Sequence, residues 1–271
     1  MSHPAVTAGR PLVFAHRGGS ALAPENTIPA FDRGLALGAD GLELDVHLSR
    51  DGLAVVHHDP RLGRTTDATG RVAERTAAEL ATVDAGYAFT AGGGHPWRGR
   101  GIGVPMLRDV LRRYRDVRVI IEMKADEEAL ARAVVADVRA ADAVERVCLG
   151  SFGRRVLRAA RALDPAIATS AAREEVRWVL YRSWVGLAPR RLPNQAFQVP
   201  ERAGGTRVVS PRFIRAAHDA GAVVQVWTVD REDDMRRLLD WGVDAIITDR
   251  PDVAVPVVHD WVERVGTSSV G

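Results

Sequence analysis

The 271-residue sequence predicts an α/β protein, a (β/α)8 barrel carrying one extra return strand in a β-hairpin. Three observations predict it. Short apolar runs alternate with stretches of 3.6-residue periodicity; the runs are almost continuously apolar, as in parallel strands covered on both faces; and the one surplus run has a local explanation.

The strand-like runs are LVFA (12–15), LELDV (42–46), AVVH (54–57), VRVIIEM (117–123), VCLG (147–150), AIAT (166–169), AFQV (196–199), VVQVW (223–227) and AIIT (245–248). Helical periodicity between them covers 27–37, 127–140, 153–163, 211–220 and 231–240. Asp51-Gly52 separates the second run from the third, and this pair favours a two-residue type I′ hairpin turn. With 51 and 52 as the loop, facing positions sum to 103 and Asp45 lies opposite His58. Removing that return strand leaves eight parallel strands. An open doubly wound sheet is the alternative, but no GxGxxG follows the first run. The glycine-rich stretch 84–105 reads as a long loop and 264–271 as a frayed tail. No break in composition divides the chain, so 1–271 is read as one domain.

Composition narrows the function. A hydrophobic content of 46% supports a sizeable core. The formal charge is only +2, and the pI of 9.1 reflects arginines that stay protonated to high pH, so no nucleic-acid partner is expected. The lone Cys148 excludes an internal disulfide and reads as a buried thiol. No signal-peptide h-region follows the N-terminus and no 18-residue apolar run occurs, so a soluble cytoplasmic protein is expected. The sequence specifies no oligomeric state.

The informative residues are charges inside strands. Glu43 and Asp45 alternate, so they share a face; Glu122 and Lys124 repeat the spacing at the end of the fourth run. Lys124 is the only lysine of the chain. Buried carboxylates need compensation. A buried ion-pair network would provide it, and so would a hard divalent cation, Mg2+ or Ca2+, for which three converging carboxylates are suited. Zinc would lean on cysteines or clustered histidines such as HExxH, which is absent.

His16-Arg17-Gly18-Gly19 follows the first strand, where a barrel places its reactive groups, and His58-Asp59 follows the return strand. Two imidazoles can act as base and acid at neutral pH. Arg17 offers a planar fork for phosphate oxygens, whereas Lys124 offers a compact ammonium that fits where a metal already crowds the anion. Together these groups describe metal-assisted cleavage of a phosphodiester. His3, His95, His218 and His259 read as surface or packed residues; His47 can approach the site, and His57 should face away from His58.

With these residues the sequence resembles the glycerophosphodiester phosphodiesterase family, relatives of the phosphatidylinositol-specific phospholipases C. The resemblance runs over 12–255 through AHRGGSALAPENTIPAF (15–31), GADGLELDVHLSRDGLAVVHHDPRLGRTT (38–66), IIEMK (120–124), VQVWTV (224–229) and GVDAIITDRP (242–251). It implies a (β/α)8 barrel with one divalent ion held by Glu43, Asp45 and Glu122, His16 and His58 as the acid/base pair, and Arg17 and Lys124 on the phosphate. It also implies attack by a glycerol hydroxyl on phosphorus, a cyclic phosphate opened by water, and release of glycerol 3-phosphate and an alcohol such as choline or ethanolamine.

In PENT, Glu25 is expected to support a histidine and Asn26 to fix the loop, with a plain turn and helix N-cap as the other reading. Trp227 can stack on glycerol carbons or belong to the core, and Gln198 holds a comparable strand end. Met106-Leu107-Arg108-Asp109 stands where the family often has Thr-Leu-Glu-Glu, a difference that concerns a helix start. Residues 173–191 mix tryptophans, leucines and arginines: a barrel helix packing inward is one reading, and a basic helix in weak contact with an anionic membrane surface is the other. The membrane reading would shift the substrate toward lysophospholipids. A catalytically silent phosphodiester-binding barrel is a further alternative.

Overall fold

A computed structural model of the chain describes residues 3–187 and 192–268. In chain order the elements are β1 (Leu12–His16), α1 (Ile28–Ala36), β2 (Gly41–Leu48), β3 (Ala54–Val56), α2 (Ala77–Leu80), α3 (Leu107–Arg113), β4 (Arg118–Met123) and α4 (Glu128–Ala140). There follow β5 (Val147–Gly150), α5 (Arg154–Leu163), β6 (Ala168–Thr169), α6 (Arg173–Trp184), β7 (Ala196–Pro200), β8 (Arg202–Ala203), β9 (Thr206–Arg207) and α7 (Pro211–Asp219). The chain closes with β10 (Val223–Trp227), α8 (Glu232–Trp241), β11 (Ala245–Thr248) and α9 (Pro251–Ser268).

Eight strands pair in parallel in the order β6-β5-β4-β2-β1-β11-β10-β7, and β3 returns antiparallel on β2. A single parallel bridge between Ser170 and Ala196 joins β6 to β7 and closes the ring. This is the expected (β/α)8 barrel. The β8–β9 hairpin was not legible in the sequence, nor was α9, which continues to Ser268 through what reads as a frayed tail. Pro256 inside α9 removes a helical donor and argues against a helix, yet Ala254, Val257 and Val258 bury one face against the barrel, and that packing prevails.

The hairpin register differs from the sequence reading. Val46 faces Val56, His47 faces Val55 and Leu48 faces Ala54, so positions sum to 102 and Asp45 lies opposite His57. The turn is longer than two residues: the Ser49 N–H donates to the Leu53 carbonyl, and Gly52 alone takes a left-handed φ of 75°. β3 ends at Val56, and the chain beyond it leaves the sheet, which brings His58 to the site despite the shift.

Alternation along each strand sorts residues into two layers. One face of the strands packs on the helices through Val13, Leu42, Leu44, Ile121, Leu149 and Val224. The other fills the barrel with Leu12, Phe14, Ile120, Cys148, Ala196 and Ile247, closed below by Ala5 and Val6. Gly41 makes room for this filling, because a Cβ there would lie 2.5 Å from the Phe14 ring. Above the apolar layers, the same inward positions become polar: His16, Glu43, Asp45, Glu122, Gln198 and Gln225. The polar layer therefore sits at the C-terminal mouth of the barrel, where the βα loops begin.

Candidate active site

The first βα loop starts with a backbone suited to hold an anion-rich centre. Arg17, Gly18 and Gly19 all have positive φ, at 51°, 88° and 94°. A Cβ on Gly18 would lie 2.7 Å from the Ala30 backbone, so only glycine lets the loop lie against α1. The turn aims the Arg17 N–H at Glu43 Oε2, 3.1 Å away. Its guanidinium meets Asp45 Oδ2 at 3.2 Å and Glu25 Oε1 at 3.1 Å.

Asn26, also at positive φ (59°), clamps Asp45 twice: its Nδ2 donates to Asp45 Oδ2 at 2.8 Å and its Oδ1 accepts from the Asp45 N–H at 3.2 Å. Asn26 is buried and fixes both the loop and a carboxylate, while Thr27 takes the N-cap of α1. Glu25 does not support a histidine as expected. It accepts two hydrogen bonds from Arg64, each 2.7 Å, besides that of Arg17, and these cations outweigh its burial and hold its carboxyl below the usual range.

Glu43, Asp45 and Glu122 converge: one oxygen from each lies within 4.8 Å of the others. Lys124 flanks them, its Nζ 3.3 Å from Asp45 Oδ1 and 3.2 Å from Glu122 Oε1. Its side chain is only 16% exposed, and against the opposing effect of burial the two carboxylates raise its pKa. Burial, with Asp45 next to it, pushes Glu43 up to about 8. Burial also raises Glu122, whereas Lys124 and Arg17 overcome burial and hold Asp45 low.

These observations test whether a dication fits. Two permanent cations face three carboxylates, Glu43 responds by holding its proton, and the buried Asp45 Oδ1 has no well-formed hydrogen bond. The donor set is all oxygen. It fits a hard divalent cation, which would remove the excess negative charge.

A pH effect follows. Because the folded chain binds the Glu43 proton more tightly than the unfolded chain, the contribution of Glu43 to metal-free stability is complete below the ordinary value of 4.5 and is lost as pH rises toward about 8. Denaturant unfolding in chelator should show this decline between pH 5 and 8, and Glu43→Gln should flatten it. A decline equally steep in the variant would exclude Glu43 as its source.

The two histidines flank this cluster, each held by an aspartate. His16 Nδ1 donates to Asp249 Oδ1 at 2.7 Å, and its Nε2 points to Glu43 Oε2 at 3.8 Å. Although burial works the other way, Glu43 and Asp249 raise the His16 pKa. Ser20 Oγ also donates to Asp249, at 2.6 Å. His58 Nδ1 donates to Asp59 Oδ1 at 2.6 Å, and Arg64 braces Asp59 from its other oxygen, holding it down at about 2 against its burial. Hydrogen bonding at Nδ1 fixes each ring and leaves Nε2 for chemistry.

Asp249 and Asp59 were not assigned roles from the sequence. Asp59 is adjacent to His58, a usable signal, but Asp249 meets His16 only because β11 pairs with β1. His47 Nε2 donates to the His58 carbonyl at 3.0 Å and so supports the loop. His57 is buried at the Arg61 carbonyl, away from the reacting groups. His3, His95, His218 and His259 bond elsewhere, to Ala166, Phe89, Asp244 and Glu263.

His16, Arg17, Glu43, His58, Glu122 and Lys124 all line one cleft of about 770 Å3. Trp227 lines it too, half-buried at the end of β10 and edge-on to Phe152 with centroids 5.8 Å apart. Gln198 reaches the same cleft but donates to Gln225 at 3.0 Å. Cys148, buried beneath, has its thiol pushed up to about 12 by burial and is inert, as its apolar setting implied.

Residues 16–253 match the model of the glycerophosphoryl diester phosphodiesterase family. The chain belongs to this family. A glycerophosphodiester phosphodiesterase of Caldanaerobacter subterraneus is 35% identical over 260 residues, covering 92% of this chain and 98% of the relative. Among solved structures, the glycerophosphoryl diester phosphodiesterase domain of a Mycobacterium tuberculosis protein aligns with a TM-score of 0.81 at 25% identity, over 90% of this chain and 98% of that one. An Oleispira antarctica phosphodiesterase, solved with its product sn-glycerol-3-phosphate, aligns with a TM-score of 0.73 at 25% identity, over 92% and 97% of the two chains. The family barrel is thus the barrel observed here, and the family resemblance seen in the motifs extends through the fold.

Proposed function

We propose that the chain is a metal-dependent glycerophosphodiester phosphodiesterase, a phosphoric diester hydrolase that releases glycerol 3-phosphate and an alcohol. The observation that carries this reading is the meeting of two aspartate-held imidazoles, three carboxylates, Arg17 and Lys124 at one barrel mouth. A divalent cation, Mg2+ or Ca2+, held by Glu43, Asp45 and Glu122 would supply positive charge to the phosphate oxygens. Arg17 and Lys124 add to that charge from the protein side. One imidazole takes the proton of a glycerol hydroxyl as its oxygen bonds to phosphorus, and the other gives a proton to the departing alcohol oxygen as that bond breaks. Water then opens the cyclic phosphate with the two roles reversed. Trp227 offers an apolar face to glycerol carbons, and Asn26 and Glu25 hold Asp45 and Arg17 in place. Incubation with glycerophosphocholine and a divalent salt should yield glycerol 3-phosphate; no product from this or related glycerophosphodiesters would favour a silent binding barrel.

Lys124 gives a sharper test. Its compact ammonium meets both Asp45 and Glu122, a point-charge geometry that a planar guanidinium does not reproduce. Lys124→Arg should lower kcat/KM by roughly ten- to a hundredfold despite the kept charge. Full activity in that variant would leave the chain's only lysine without a chemical reason.

A second reading concerns lysophospholipids. The outer face of α6 and the residues after it expose Trp178, Tyr181, Trp184, Val185 and Leu187, the three aromatics at 48%, 55% and 53%. Val179 and Leu180 pack inward, as the barrel-helix reading expected, so the helix has two apolar faces. Such a surface beside the cleft suits weak contact with an anionic membrane. Residues 188–191, which complete the basic end of that segment, lie outside the described residues. Sedimentation with anionic but not neutral vesicles supports this reading, and sedimentation with neither ends it. No helix among the described residues is long and apolar enough to cross a membrane. A cytoplasmic location is our reading.

A further inference from the structure

The cleft extends well past the reacting groups. From Lys124 it passes Phe152 and Trp227 and ends between α6 and the β8–β9 hairpin, where Arg173, Arg177 and Arg202 line it. Its volume suits a ligand considerably larger than glycerol phosphate. The only carboxylates among its lining residues, Glu43 and Glu122, stand on β2 and β4, whereas the arginines come from α6 and β8. Glu175 of α6 is unavailable to the arginines as a counter-ion, because Arg161 holds it at 2.8 Å and it also accepts from the Ala172 N–H. Among the described residues Arg173, Arg177 and Arg202 pair with no carboxylate. Arg173 lies over the Phe152 ring at 5.1 Å, so that aromatic face already carries a cation.

This distribution of charge bears on the substrate. A diester with phosphorus between His16, His58 and Lys124 has one arm free to run along this wing. An anionic group on that arm meets three uncompensated guanidinium groups, and its carbon skeleton meets Val176, Leu180 and Val208 on the way. A cationic arm such as choline finds no carboxylate there. We propose that the wing is an anion subsite, and that the preferred substrates are glycerophosphodiesters in which one arm carries a second phosphate-type anion. The proposal rests on the diesterase reading above and adds its substrate class.

The test compares kcat/KM of the full chain, with its divalent ion, on bis(glycerophospho)glycerol and glycerophosphocholine. The first should exceed the second by about tenfold at low salt, with the gap narrowing as ionic strength rises. The double variant Arg177→Glu, Arg202→Glu should bring the ratio to about one or below. Because the ratio is internal to each preparation, partial unfolding lowers both rates and leaves it unmoved. Equal or better turnover of glycerophosphocholine by the native chain, or a ratio unchanged by the double reversal, overturns the anion subsite while leaving the diesterase reading intact. Turnover of neither substrate overturns both.

Discussion

Exhaustive chelation of divalent ions should lower turnover of glycerophosphodiesters by about a thousandfold or more, with recovery on adding Mg2+ or Ca2+. The reason lies in the charge balance of the mouth. Arg17 and Lys124 face Glu43, Asp45 and Glu122, and the surplus negative charge is taken up by a proton on Glu43. A phosphodiester anion brought to that cluster finds no net positive charge to hold it unless a dication intervenes. Since binding requires Glu43 to release its proton, affinity for the metal should strengthen as pH rises toward about 8. Asp45→Asn should weaken metal binding in titration calorimetry, because it removes charge from the carboxylate that Asn26 and Arg17 orient. Undiminished activity after complete metal removal would falsify the assignment of the three carboxylates.

His58→Ala should reduce kcat by roughly 10²- to 10⁴-fold while leaving metal affinity unchanged. His58 is tied to Asp59 and Arg64, outside the carboxylate cluster, so its loss removes a proton carrier and little else. His16→Ala should cost as much in rate, but its Nε2 lies 3.8 Å from Glu43, so metal affinity is expected to shift with it. The double variant should be scarcely slower than either single one, because the two imidazoles perform complementary proton transfers within one step and the loss of either disables it. A His58→Ala protein that keeps wild-type kcat, or loses its metal, contradicts this division of labour.

Much of this was legible in the residues. Apolar strands hide in a barrel wall, so charges within them stand out; that logic singled out Glu43, Asp45, Glu122 and Lys124 and the histidine that ends β1. What escaped were facts that depend on which strands become neighbours. Asp249 ends a run that reads as an ordinary strand exit, and only the pairing of β11 with β1 sets it beside His16. Glu25 was expected to serve a histidine, but Arg64, distant in sequence, reaches it first. The hairpin count failed by one residue because the Asp-Gly signal marks a turn without fixing how many residues it holds, and His58 reached the site by leaving the strand. α9 was missed because two prolines hid a helix that tertiary packing sustains.

The ring of strands is not equally firm all round. Between β6 and β7 it is held by one bridge, with Ala171 N–H on the Ala196 carbonyl, Gln195 N–H on the Thr169 carbonyl, and the Gln195 side chain accepting from Thr169. Amides along this seam should exchange with solvent sooner than those of β1, β2 and β4. The seam borders the arginine-lined end of the cleft, whereas the acids and imidazoles stand on the fully laced side. On the reading proposed above, the molecule is free to yield where a long substrate would enter and firm where its bonds would break.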